Sequence, residues 1–204
     1  MTGINPLNVT HVNDADGLMF FNEGEARALD AITARVIPSE PDGLGAREAA
    51  VVTYIDRAVA GYFHELQGLY RFGLLRLDES CLAAFGRTFA ELPTENQDEI
   101  LLALDEAGSG RAVPSRVTQM LTADRREMVL PRFFAIVREH TIQGMFCDPL
   151  YGGNRDFTGW RLIGFPGAQW GYSAEQMQEG FDATTIPILS LSDLQHARIG
   201  SSHG

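Results

Sequence analysis

The sequence predicts an all-α protein, a compact single-domain helical bundle that carries a long irregular C-terminal segment rich in glycine and aromatic residues. Three observations point there. Capping residues precede apolar stripes at helical spacing along the first two thirds of the chain. No alternating strand pattern of comparable length competes before residue 146. From Cys147 onward both periodicities stop.

Residues 1–19 are polar, with the turn-favouring pairs Asn5-Pro6, Asn13-Asp14 and Asp16-Gly17 and no periodic apolar face, and read as an arm. A helical domain over residues 20–175 and a C-terminal extension over residues 176–204 follow. The first helix is expected to open at Asn22, with Glu25 completing a capping box, to bury Leu29, Ile32 and Val36, and to stop at Pro38. After a polar turn over residues 39–45, Ala49, Val52, Ile55 and Val59 mark a second helix that Gly61 can end. Leu66, Leu69, Tyr70 and Leu74 suggest a third, and Leu82, Phe85 and Phe89 a fourth, closed by Pro93. Thr94 and Gln97 have the spacing of a capping box ahead of Ile100, Leu101 and Leu104, with Gly108 to Gly110 as terminator. A shorter stretch carries Val117, Met120 and Leu121. The last long helix is expected from Pro131, whose missing N–H costs nothing in a first turn, through Phe133, Ile136, Val137, His140, Thr141 and Gly144.

At 204 residues and 45% hydrophobic composition the chain is expected to form one domain with one sizeable core. Its acidic residues outnumber basic ones 27 to 16, for a net charge of -11, and this excludes a phosphate-tracking surface and hence nucleic acid as the main partner. Lysine is absent, so every basic residue is Arg. No stretch approaches the roughly 20 apolar residues of a membrane span. The first residues show no basic n-region, apolar h-region or twin-arginine pair, and a cytoplasmic location is expected. The alternatives are periplasmic delivery by a signal on a partner, or loss of a leader by trimming.

Cys81 and Cys147 are far apart and form no Cys-x-x-Cys pair, so free thiols are expected rather than a metal or redox site. None of the five histidines has a recognised metal spacing, and no Gly-x-Ser-x-Gly elbow is present. Acidic pairs such as Asp105-Glu106 read as solvated surface. Residues 147–172 differ in kind, packing six glycines, two prolines and six aromatics, including both tryptophans. Gly152, Gly153 and Asn154 accept positive φ cheaply, so the chain can turn tightly there and present Arg155 and Asp156. The run lacks the spacing of a phosphate-binding loop. It serves equally as a structural cap on the bundle or as a recognition loop. For the latter, Tyr151, Gly152, Gly153, Asn154, Arg155, Asp156, Trp160, Phe165, Trp170 and Tyr172 are the candidate partner-contacting residues, with Trp160 and Phe165 also read as core fillers. Neither catalytic, cofactor-binding nor metal-binding residues are assigned.

Phe133-Phe134, His140-Thr141, Gly144-Met145-Phe146, Asp148-Pro149, Tyr151-Gly152-Gly153-Asn154, Gly159-Trp160 and Gly164-Phe165-Pro166-Gly167 together resemble the signature of the gluconate 2-dehydrogenase subunit 3 family. Phe21, Glu25, Leu29, Ile32, Ile37-Pro38, Gly45-Ala46, Ala49 and Tyr54-Ile55-Asp56 resemble its N-terminal half. The resemblance implies a non-catalytic small subunit that assembles with, stabilises or helps export a glucose-methanol-choline-type flavoprotein. That partner would carry the FAD and oxidise gluconate, a glucoside or a related polyol, with a cytochrome c or other acceptor completing the complex. Members of the family often begin with a twin-arginine signal, which this sequence does not show. The competing hypothesis is a stand-alone sugar-processing hydrolase or isomerase using Asp148, Asp156 and His140.

Overall fold

The computed structural model describes residues 17–41, 43–111 and 129–200. Residues 1–16, and the stretch with Val117, Met120 and Leu121, lie outside the described residues. Among those described the protein is all-α, with seven α-helices, short 3-10 turns and only two isolated bridges, Glu40 with Gly43 and Gly167 with Leu189. The helices are α1 (Glu23–Val36), α2 (Val51–Ala60), α3 (Gln67–Phe85), α4 (Thr94–Gly108), α5 (Val129–Phe146), α6 (Thr158–Leu162) and α7 (Leu191–Gly200). Helix α5 is the hub, touching α1, α2, α3, α4 and α6.

Helix α1 starts as its sequence dictates: Asn22 Oδ1 accepts from Glu25 N at 2.9 Å while Glu25 Oε2 accepts from Asn22 N at 2.9 Å. Ala26, Leu29 and Ile32 face the core, and Ile37 ends the helix one residue before Pro38. Helix α2 begins at Val51, later than the apolar stripe suggests, because Ala50 adopts a left-handed conformation (φ 56°) and leaves the buried Ala49 in the preceding turn.

The expected third and fourth helices are one continuous helix, α3. Leu74, Leu77 and Cys81 carry its buried stripe through the supposed gap, and nothing breaks it before Gly86 at φ 71°. Leu82 and Phe85 consequently fall on its exposed side. Phe89 is buried from a separate 3-10 turn, whose start is capped by Thr88 and Glu91. The expected Thr94/Gln97 capping box is not formed. Pro93, extended at ψ 150°, occupies the cap position, and its carbonyl accepts from Gln97 N at 3.1 Å. Gln97 turns inward instead, donating Nε2 to Phe89 O at 3.0 Å. Pro131 sits in the first turn of α5, which starts at Val129. Helices α3 and α5 cross closely because Gly73 has no side chain, and a Cβ there would come within 2.3 Å of the Phe133 ring.

The entry segment is tethered by one buried carboxylate. Asp56 on α2, 3% exposed, accepts from Met19 N at 2.6 Å, Phe20 N at 3.0 Å and Phe21 N at 2.9 Å. Arg71 on α3 supports the segment from the other side, donating Nη2 to Phe20 O at 2.9 Å, pairing with Glu25 and lying over the Phe20 ring. The described end of the polar arm therefore belongs to the folded domain.

Removing that carboxylate leaves three backbone amides without their acceptor, that of Phe21 buried and those of Met19 and Phe20 part-buried. Asp56→Ala is expected to lower unfolding stability by about 3 kcal/mol or more, read from the urea midpoint at neutral pH, whereas an exposed change such as Glu99→Ala should stay within about 0.5 kcal/mol.

Candidate functional site

An α-helix ends with carbonyls that have no partner inside the helix. At the end of α5 the following loop supplies partners. Asn154 N donates to Gly144 O at 2.9 Å, Asn154 Nδ2 to Cys147 O at 2.8 Å and Trp160 Nε1 to Phe146 O at 2.8 Å. Asn154 Oδ1 turns the other way and accepts from Gly159 N at 2.8 Å at the start of α6. One fully buried asparagine thus joins α5, the loop and α6.

This close seating requires missing side chains. A Cβ on Gly153 would lie 2.2 Å from Gly144 O, and one on Gly159 would lie 1.9 Å from Met145 O. Gly152 has φ 96° and Asn154 has φ 46°, whereas Gly153 has no positive φ and is needed for proximity alone. Asp156 at φ 54° and Phe157 at φ 59° are also left-handed, a conformation unfavourable for a bulky residue. Stacking of Phe157 on Trp160, at 5.6 Å and 11° between planes, and the Asn154 bonds hold the turn in that shape. Arg155 N donates to Ala49 O at 3.1 Å, so this turn abuts the left-handed Ala50 at the head of α2.

The candidate residues consequently separate into two sets. Gly153, Asn154 and Trp160 are buried and form the cap, so they shape the loop. Tyr151, Asp156, Phe165, Trp170 and Tyr172 are exposed, with Gly152 and Arg155 half-buried between the sets. Phe165 packs edge-on against Trp160 at 5.3 Å while keeping an exposed face.

Beside Tyr151 lies a groove of about 800 Å³ between α2 and α5. Tyr54, Arg57 and Ala58 line it from α2, Tyr62 and Phe63 from the turn after it, Ile142, Gln143, Phe146 and Cys147 from the end of α5, and Leu150 and Tyr151 from the loop. Its floor is fixed where Tyr54 Oη donates to Gln143 Oε1 at 2.9 Å. Its rim is apolar and solvent-exposed: Tyr62 is 84% exposed, and Ile142, Leu150 and Tyr151 each about half. Burial pushes the Cys147 thiol up to about 11, so it is neutral at ordinary pH and not a poised nucleophile. Both cysteines are free thiols.

The groove was the part hardest to see in sequence. Ile142 and Phe146 lie off the buried stripe of α5, and Tyr62 directly follows the helix-ending Gly61; apolar residues off the core face are the only signal they carry.

Of the three residues suggested for stand-alone catalysis, His140 and Asp148 are otherwise engaged, and Asp156 is exposed on the left-handed turn. His140 is 2% exposed, shares a 2.8 Å hydrogen bond between Nδ1 and Tyr70 Oη, and stacks on Phe63 at 4.5 Å. Burial lowers its pKa and raises that of Tyr70, keeping both neutral. Asp148 accepts from Leu150 N at 3.0 Å and from Leu191 N at 2.8 Å, so it caps a 3-10 turn and docks the start of α7. Among the described residues no group of three or more His, Cys, Asp or Glu could hold a metal ion, and no helix is long and apolar enough to cross a membrane.

The family model described as Gluconate 2-dehydrogenase subunit 3 matches residues 23–167, which takes in α1 through the loop and α6. No curated protein and no solved structure matches the chain.

The two loop glycines should respond differently to a methyl group. Gly153→Ala is expected to cost about 2–3 kcal/mol because the neighbouring carbonyl belongs to a helix and cannot easily retreat; Gly152→Ala should cost about 1 kcal/mol, from its left-handed backbone. Thermal unfolding of the two variants gives the comparison. For His140 the sign follows from its lowered folded pKa: the unfolded chain takes the proton first, so stability is present above the ordinary histidine value of 6.5 and is lost as pH falls through the folded value. Melting temperature should therefore decline from pH 7 towards 5, with a shallower decline in His140→Gln.

Proposed function

The chain belongs to the gluconate 2-dehydrogenase subunit 3 family, and on that premise we propose that it is the non-catalytic small subunit that binds and stabilises an FAD-dependent catalytic subunit of glucose-methanol-choline type. The FAD belongs to that partner, which oxidises gluconate, a glucoside or a related sugar or polyol and passes electrons to a cytochrome c or other acceptor. Assembly takes place in the cytoplasm, or in the periplasm when the catalytic subunit carries the export signal.

The observation that carries this reading is the groove between α2 and α5 with its exposed aromatic rim. Aromatic side chains around an apolar cleft resemble the centre of a protein interface, where a few large, stiff residues contribute most of the affinity. Here Tyr62 exposes such surface from the turn after α2, and Leu150 and Tyr151 from the loop that the Asn154 cap holds in place. Arg155, Trp170 and Tyr172 extend the same face along the loop in this proposal. A permanent partner covering roughly 2,000 Å² or more would bury the groove together with part of that segment.

The test separates binding from folding. Tyr62→Ala and Tyr151→Ala remove exposed side chains, so the isolated chain should keep its stability within about 0.5 kcal/mol. Affinity for the purified catalytic subunit, measured by calorimetry, should fall by on the order of ten-fold or more for each. Native affinity in both variants would place the partner elsewhere, and turnover of a sugar by the purified chain alone would restore the stand-alone enzyme.

A further inference from the structure

The family match ends at Gly167, and immediately beyond it the chain makes a closed excursion. Residues 168–189 leave and return at one point: Ala168 N donates to Leu189 O at 2.7 Å, and Leu189 N to Pro166 O at 3.3 Å. Gln169 Nε2 bridges the two legs, donating to Pro166 O at 2.9 Å and Pro187 O at 3.0 Å. Gly167 allows the legs to meet, since a Cβ there would lie 2.2 Å from Leu189 O. Ile186 is buried, and Asp148 fastens the chain just past the loop through Leu191 N. The excursion is mounted on the α5 cap as a built element.

Its outer surface combines two features. Trp170 is 73% exposed and Met177 69%, with Tyr172 exposed beside them, which is more apolar surface than a solvated loop needs. Glu175, Glu179 and Asp182 are its only charged residues, all exposed, and no Lys, Arg or His occurs between 168 and 190. Hydrogen bonds from Thr184 N at 3.0 Å and Oγ1 at 2.6 Å lower the Asp182 pKa and keep its charge in place.

We infer that this loop is an acidic, aromatic plug whose occupant is a positively charged surface with an apolar socket on the FAD-dependent catalytic subunit. The inference rests on the proposed function for the identity of the partner and adds the chemistry of the surface that must meet the loop. Carboxylates around stiff apolar anchors attract a basic partner over a distance comparable to the screening length and then fix its register, while the aromatic anchors set its residence time.

Association and dissociation rates with the purified catalytic subunit, taken at low and high ionic strength, test it. Three variants are compared with the native chain: Glu175→Gln/Glu179→Gln on the loop, Trp170→Ala, and Glu95→Gln/Glu99→Gln, which makes the same change in net charge on α4. The loop glutamate variant should associate more slowly at low ionic strength, by on the order of three- to ten-fold, and match the native chain at high ionic strength. Trp170→Ala should dissociate faster by on the order of ten-fold. A native association rate and native salt dependence in the loop glutamate variant overturn the basic-partner assignment whatever Trp170 does, and so does an equal slowing in the α4 variant. A native chain that fails to bind the catalytic subunit at all removes the proposed function and this inference with it, an outcome distinct from native binding without salt dependence.

Discussion

The end of α5 sets the terms for the rest of the molecule. Its last carbonyls need donors, and they are buried under a loop where water cannot supply them. Asn154 and the Trp160 indole provide those donors. Because α5 is the hub that touches most other helices, fixing its end fixes the position of the loop relative to the whole bundle. The groove exists because Leu150 and Tyr151 are held beside α2 and α5 by that arrangement.

The backbone accommodates this at a cost. Three left-handed non-glycine residues crowd between 154 and 157, and a fourth, Ala50, stands across from them at the head of α2. Each such conformation costs on the order of 1–3 kcal/mol and persists only where surroundings over-determine it. Here they do: buried hydrogen bonds to Asn154, the stacked Phe157 and Trp160, and glycines at 153 and 159 that let backbone meet backbone. A surface so held loses little conformational freedom when a partner binds, which favours affinity.

Two further polar devices lock the bundle around the same groove. Asp56 gathers the amides of the entry segment from α2, the helix that forms one groove wall. The Tyr70 and His140 pair joins α3 to α5 in the core, and Phe63, which stacks on His140, lines the groove on its other side. Buried polar groups of this kind are costly unless paired, and among the described residues no buried side-chain polar atom lacks a partner. Core and groove are therefore mechanically connected through single side chains.

Helices α1, α2, α4 and α5 were legible in the sequence alone because their causes are local, whereas the short α6 and the terminal α7 lie in the stretch whose sequence shows no helical periodicity. Asn22 and Glu25 are three residues apart and cap α1 wherever the chain finds itself, and the stripes of α1, α2, α4 and α5 follow from helical spacing. Local reasoning failed where a distant group competed. Gln97 left its expected capping role for Phe89 O, and the stripe of α3 ran on because Leu77 and Cys81 found a core to face. In the loop, residue type revealed that Gly152 and Asn154 tolerate positive φ, a property of single residues. That Gly153 is needed for contact, that Trp160 points inward while Trp170 points out, and that Tyr62 and Tyr151 border one groove depend on how α2, α5 and the loop approach each other. Those are relations between residues remote in sequence, and only tertiary structure decides them, since burial is set by what packs against a side chain and not by the side chain itself.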